Sequence, residues 1–174
     1  MSILDWLHAS QHPDARAHGD TDTVRRIVGE LERLDPAVAR YLAAFAYVLS
    51  RVANADLQIS EVETDQMVEI AERVGHLSEA QAILVVEIAK TQNRLFGGTE
   101  DFLVTREFRE IATDVQRRQL LDCLFAVAAA DNEISAEEDA QIWQIASELG
   151  VEHADYVAVR LAYSGKRTVF RRER

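Results

Sequence analysis

The stretch from Leu49 to Gly75 recurs, without a gap, from Leu124 to Gly150. Identical residues fall at Leu49/Leu124, Val52/Val127, Ala53/Ala128, Ala55/Ala130, Asp56/Asp131, Ile59/Ile134, Ser60/Ser135, Glu63/Glu138, Gln66/Gln141, Ile70/Ile145, Ala71/Ala146 and Gly75/Gly150. A chain that repeats such a stretch must build the same local structure twice. The apolar matches recur at helical spacing and read as two buried faces. Between them stands Asp-x-x-Ile-Ser-x-x-Glu, polar and intact in both copies, so each copy predicts helix, acidic turn, helix.

The rest of the sequence agrees with a helical reading. Only two prolines and seven glycines interrupt it, and no segment alternates convincingly as a strand. Helices are expected over about 23–34, from Pro36 through the stripe of Leu42, Phe45, Ala46, Leu49, Val52 and Ala53, from Ser60 to a left-handed cap at Gly75, and from Ser78 to a point before Gly97. The second half predicts short helices around 100–112, then helices over about 114–130, 135–149 and up to Tyr163. Asp35-Pro36 is a start signal, an N-cap acceptor followed by proline at the first helical position. Ser78 with Gln81 has capping-box spacing. The expected fold is all-α, a bundle of about seven to eight short helices in two pseudo-symmetric halves. Its expected organisation is a lead-in over 1–22, one helical domain over 23–164 with halves at about 36–94 and 99–164, and a basic tail over 165–174.

Charge narrows the function classes. The formal net charge is −11, which disfavours nucleic acid, because affinity for phosphate backbones comes from Lys and Arg. The tail SGKRTVFRRER is the exception, carrying about +4 and leaving the preceding residues near −15. It reads as a solvated segment or as a contact for anionic lipid or an acidic protein. No run of about 18 apolar residues suggests a membrane span, and the N-terminus lacks the pattern of a secretory signal. A cytoplasmic protein with protein partners is expected, with peripheral membrane contact open through the tail and no prediction of oligomeric state. Cys123, the only cysteine, lies in an apolar run and reads as a small core residue.

The repeated acidic turn has two readings. In the first, Ser60 with Glu63 and Ser135 with Glu138 are capping boxes, and Asp56 and Asp131 stop the preceding helices. In the second, the carboxylates hold a divalent cation, since hard cations take carboxylates together with backbone carbonyls and water. A calcium EF-hand does not fit, because Ala136 and Ile142 occupy the sixth and twelfth positions counted from Asp131. His8 and His12 have helical ligand spacing, but Pro13 follows and no third ligand is fixed. His76 and His153 read as surface residues at helix ends. No phosphate loop or nucleophile triad is written in the chain.

Two copies of Asp-x-x-Ile-Ser-x-x-Glu between amphipathic helices, together with Thr99-EDFLVTREFREI and Leu149-GVEHADYVAVRLA, resemble the TerB-like (tellurite-resistance protein B) family over roughly residues 38–164. The resemblance implies an all-helical bundle, a non-enzymatic stand-alone member and a role of tellurite-resistance type in a stress response. It also implies a metal ion, Ca²⁺, Mg²⁺, Mn²⁺ or Zn²⁺, on Asp56 and Glu63 in the first copy and Asp131, Glu137 and Glu138 in the second. The family's glycine after the aspartate is replaced by Leu57 and Asn132, and Val62 stands where the second copy has Glu137. Asparagine tolerates the left-handed backbone better than leucine, so the second copy is the better ligand set. The alternatives are a protein adaptor whose turns are helix caps only, and a metal-dependent enzyme.

Overall fold

The structure, a computed structural model, describes residues 22–52, 61–95, 101–130 and 133–166. Eight α-helices occupy them: α1 (Asp22–Glu32), α2 (Pro36–Val52), α3 (Glu61–Arg73), α4 (Glu79–Leu95), α5 (Asp101–Ile111), α6 (Asp114–Ala128), α7 (Ala136–Leu149) and α8 (His153–Ala162), with a 3₁₀ turn at Ser164–Lys166. No strand occurs among the described residues. The all-α fold and the number of helices are as the sequence predicts.

Local chemistry starts each helix where the start signals stand. Asp35 Oδ1 accepts from the Ala37 amide at 2.9 Å, and Pro36 opens α2 with an amide-free nitrogen, where no intrahelical bond is lost. Ser78 and Gln81 exchange the two bonds of a capping box. Thr113 and Gln116 form another box ahead of α6, one that the sequence reading did not single out.

The organising element is α2. From Leu42 to Val52 every residue is buried, so the helix has no solvated face beyond its first turns. The sequence predicts one stripe; instead Ala43, Ala44, Tyr47 and Val48 are buried as well. The alanines allow this, because their small side chains let neighbouring helices approach α2 on several sides. Around it pack α1, α4, α5, α6 and α7. Phe108 of α5 sits against Tyr41 and Phe45, with ring centroids 5.3 and 6.1 Å apart.

The packing exchanges between the copies of the repeat. Helix α2 packs on α4 as α6 packs on α8, and α3 packs on α6 as α7 packs on α2. Each second helix of a repeat therefore lies on the first helix of the other repeat. The two copies are interlocked, and the described acidic turn lies at one of these junctions.

One expectation is corrected. Gly75 is not the left-handed residue that ends α3; His76 is, with φ 55°. Histidine is among the residues that enter this region more readily. Gly75 is held by packing instead, since a Cβ there would lie 2.6 Å from the Ala71 carbonyl oxygen, 3.1 Å from Cys123 Sγ and 3.3 Å from Phe45 Cζ. In the second copy Gly150 is itself left-handed, with φ 66°, and the Val151 amide closes the turn on the Ala146 carbonyl at 3.0 Å. The close approach of α2 and α6 to Gly75 accounts for the difference.

Candidate functional site

The second acidic turn follows α6. Ala129 and Ala130 end that helix with amides donating to Phe125 and Val127 carbonyls. Ile134 then turns into the core, 1% exposed, and fixes the entry to α7. Ser135 is the N-cap, with extended backbone at φ −67° and ψ 163°. Its Oγ accepts from the Glu138 amide at 3.1 Å, while its own amide and hydroxyl both donate to Glu138 Oε2 at 2.8 Å. The capping reading of Ser135 and Glu138 is thus realised in full.

Only one oxygen of Glu138 is used by the cap. Its Oε1 makes no hydrogen bond among the described residues. Glu137, one position earlier on the first turn of α7, is exposed and has no ion-pair partner among them. Asp139 is different. Arg160 of α8 grips it with both arms, Nε to Oδ1 at 3.0 Å and Nη2 to Oδ2 at 2.7 Å. That bond, ahead of the opposing effect of burial, raises the Arg160 pKa above the ordinary guanidinium value. Asp139 is therefore paired within the fold, whereas neither Glu137 nor Oε1 of Glu138 has a partner among the described residues.

Of the expected ligands, Asp56 and Asp131 lie outside the described residues, as does the side chain of Glu63. Among the described residues no three His, Cys, Asp or Glu side chains converge as a metal-holding group. The donor chemistry of Glu137 and Glu138 fits a hard cation, because a carboxylate can keep a hydrogen bond on one oxygen and offer the other. His76 and His153 are exposed at helix ends, as expected. His8 and His12 lie outside the described residues.

A buried polar cluster connects α7 to the end of α2, and the sequence reading did not find it. Arg51, in the last turn of α2, donates through Nη1 to Thr105 Oγ1 of α5 at 2.6 Å and to Glu148 Oε2 of α7 at 2.5 Å. The two charged side chains are 5% and 9% exposed. Gln141 Nε2 donates to the Arg51 carbonyl at 2.6 Å, and Gln144 holds the other oxygen of Glu148 at 3.0 Å. The signal for it was present: Arg51 is a charge inside an apolar helical run, and Gln141 is a polar match in the repeat.

Described residues line two surface clefts. One, of about 220 Å³, is lined by Asp114, Arg117, Arg118, Gly150, Val151, Glu152 and Asp155. The other, of about 320 Å³, lies along α1 between Arg25, Arg26, Gly29, Glu30 and Arg33. Neither contains Glu137 or Glu138. In the first, Arg117 pairs with Asp114 and Arg118 with Asp155, so its charges are largely spent on one another. Cys123 is fully buried, and burial, helped by Asp122, pushes its thiol pKa well up. A thiol held protonated is a poor nucleophile.

No curated protein and no solved structure matches the chain. A family model does: that of tellurite resistance protein TerB matches residues 41–161. The match spans α2 to α8 and so takes in both copies of the repeat and the Arg51 cluster. The chain belongs to the TerB family.

Proposed function

We propose that this TerB-family chain is a non-enzymatic interaction module whose second acidic turn takes a divalent cation through Glu137 and Glu138, with Asp131 completing the set and Asp56 and Glu63 forming the corresponding first-copy set. One observation carries the reading. Glu138 caps α7 with Oε2 alone, and among the described residues neither its Oε1 nor the neighbouring Glu137 at the same helix start has a partner. Capping and cation binding then reinforce each other, because the cap fixes the carboxylate that the ion needs.

The physical effect of the ion is charge neutralisation. Acidic groups gathered at one turn repel each other, and a bound cation removes that repulsion and stiffens the junction between α6 and α7. The changed surface is what a protein partner would read. Oxygen-only donors favour Ca²⁺, Mg²⁺ or Mn²⁺ over Zn²⁺, which prefers nitrogen and sulfur. A role in a stress response of tellurite-resistance type fits the family.

Isothermal titration of metal-stripped protein with CaCl₂, MgCl₂ and MnCl₂ tests the reading. One of the three ions is expected to bind saturably, and binding is expected to vanish in Glu138→Gln. Absence of binding by all three would leave the adaptor reading, in which the turns serve as caps alone.

A further inference from the structure

We infer that the solvent face of α5 is a self-complementary docking surface, through which two copies of this chain pair antiparallel about a twofold axis. The occupant is identified by the order of apolar, basic and acidic side chains along the helix.

Helix α5 meets the core through Val104, Thr105 and Phe108, which are buried. Its other face carries Phe102, Leu103, Arg106, Arg109 and Glu110, all exposed and recurring at three- and four-residue steps. Phe102 and Leu103 are each more than half exposed, as is Val115 in the first turn of α6, just past the end of α5. The other exposed large apolar residues among those described, Ile83, Trp143 and Leu161, stand singly on three further helices. A single exposed apolar side chain needs no explanation, whereas apolar groups at both ends of one helix point to a contact surface.

Arg106 and Glu110 complete the pattern. They are four positions apart and so share this face, yet neither makes an ion pair or a hydrogen bond among the described residues. Both charges therefore remain available to a partner. A twofold axis at the level of Phe108 sets Arg106 of each copy opposite Glu110 of the other, because the two positions lie equally far from it, about 3 Å along the helix. The same axis sets Phe102 and Leu103 of each copy level with the end of the other's α5 and the start of its α6, where Val115 stands. One operation thus matches opposite charges in the middle and apolar groups at both ends, as an isologous contact requires.

The net charge of −11 opposes self-association at long range. That repulsion is screened beyond about 8 Å at physiological salt, whereas charges in contact at an interface are screened much less. A surface one helix wide lies at the low end of interface sizes, so the dimer is weak and concentration-dependent. Neither Glu137 nor Glu138 takes part, and the surface stands or falls independently of the cation reading.

Sedimentation velocity of the full, metal-stripped chain from about 0.01 to 1 mM tests the inference. The wild type is expected to pass from one chain to two across that range. Arg106→Glu and Glu110→Arg each set like charges opposite one another and are each expected to weaken dimerisation by at least about tenfold. Mixed in equal amounts, these two variants restore both opposite-charge pairs and are expected to associate at least as well as the wild type. Phe102→Ser/Leu103→Ser is expected to stay monomeric with an unchanged circular-dichroism spectrum. A wild type that remains monomeric throughout overturns the inference and leaves the face to a different protein. A dimer that either charge variant leaves intact, or a mixture that associates no better than its components, overturns it as well.

Discussion

Arg51 Nη1 and Glu148 Oε2 lie 2.5 Å apart across 97 positions of sequence, both side chains withdrawn from water. The contact joins the last turn of the central helix to the last turn of α7. Because Glu148 is buried, the loss of Arg51 leaves its carboxylate without the guanidinium.

Arg51→Met should therefore destabilise the protein by about 3–5 kcal/mol, the usual effect of leaving one buried charge uncompensated. Arg51→Met/Glu148→Met should recover part of that loss, because the Glu148 charge is removed together with its guanidinium partner. Urea denaturation of the two single variants and the double variant, read as a double-mutant cycle, checks both statements.

The two matched glycines should respond to alanine for different reasons. Gly75→Ala forces a Cβ to 2.6 Å from a backbone carbonyl oxygen, an overpacking cost of about 1–3 kcal/mol. Gly150→Ala meets the far end of the Arg109 side chain rather than backbone, and its main cost is the left-handed backbone, about 1–2 kcal/mol. His76→Gly should be neutral or stabilising by up to about 1 kcal/mol, since it relieves the left-handed strain that His76 carries. Midpoints of urea unfolding give the order.

Alkaline pH should weaken the fold through two neutral groups held away from water, Tyr41 and Cys123. Burial first, with Cys123 nearby second, pushes the Tyr41 pKa up to about 12 from its ordinary value of 10.0. Between those values the unfolded chain has lost the Tyr41 proton and the folded chain retains it. The stability tied to that proton is complete below about pH 10 and is lost as pH rises through about 12. Cys123 adds loss in the same direction from about pH 9 upward, its burial being the larger cause and Asp122 the smaller. Unfolding free energy measured from pH 8 to 11.5 should fall accordingly, and Cys123 should resist thiol reagents at pH 8 until the protein unfolds.

Much of this fold is legible in sequence because helix starts are local events. Asp35-Pro36, Ser78 with Gln81 and Ser135 with Glu138 each announce a helix within four residues, and each is realised. The fate of Asp139 is not local, since it depends on Arg160 approaching from another helix. The buried Arg51 cluster is hidden for the same reason: Arg51, Thr105 and Glu148 are neighbours only after α2, α5 and α7 have packed. Gly75 misled because a glycine after a helix signals a cap by local rules, whereas its closeness to Phe45 and Cys123 is tertiary.

The two uses of Glu138 can be separated by one substitution. Glutamine serves a capping box as well as glutamate does, and Gln81 and Gln116 do so in this chain. Glu138→Gln should thus cost only a few tenths of a kcal/mol in the absence of metal, whereas Ser135→Ala should cost about 1 kcal/mol. Circular-dichroism melts of metal-free variants test the difference.

The most direct measurement is the melting temperature of metal-stripped wild type and Glu138→Gln, titrated with Ca²⁺, Mg²⁺ and Mn²⁺. At 100 times its Kd a cation stabilises by about 2.7 kcal/mol, a rise of roughly 5–10 °C for a domain of this size. The account predicts that rise for one ion in the wild type and its loss in Glu138→Gln, with both proteins melting together when metal-free. Equal shifts in the two proteins, or none in either, would contradict it.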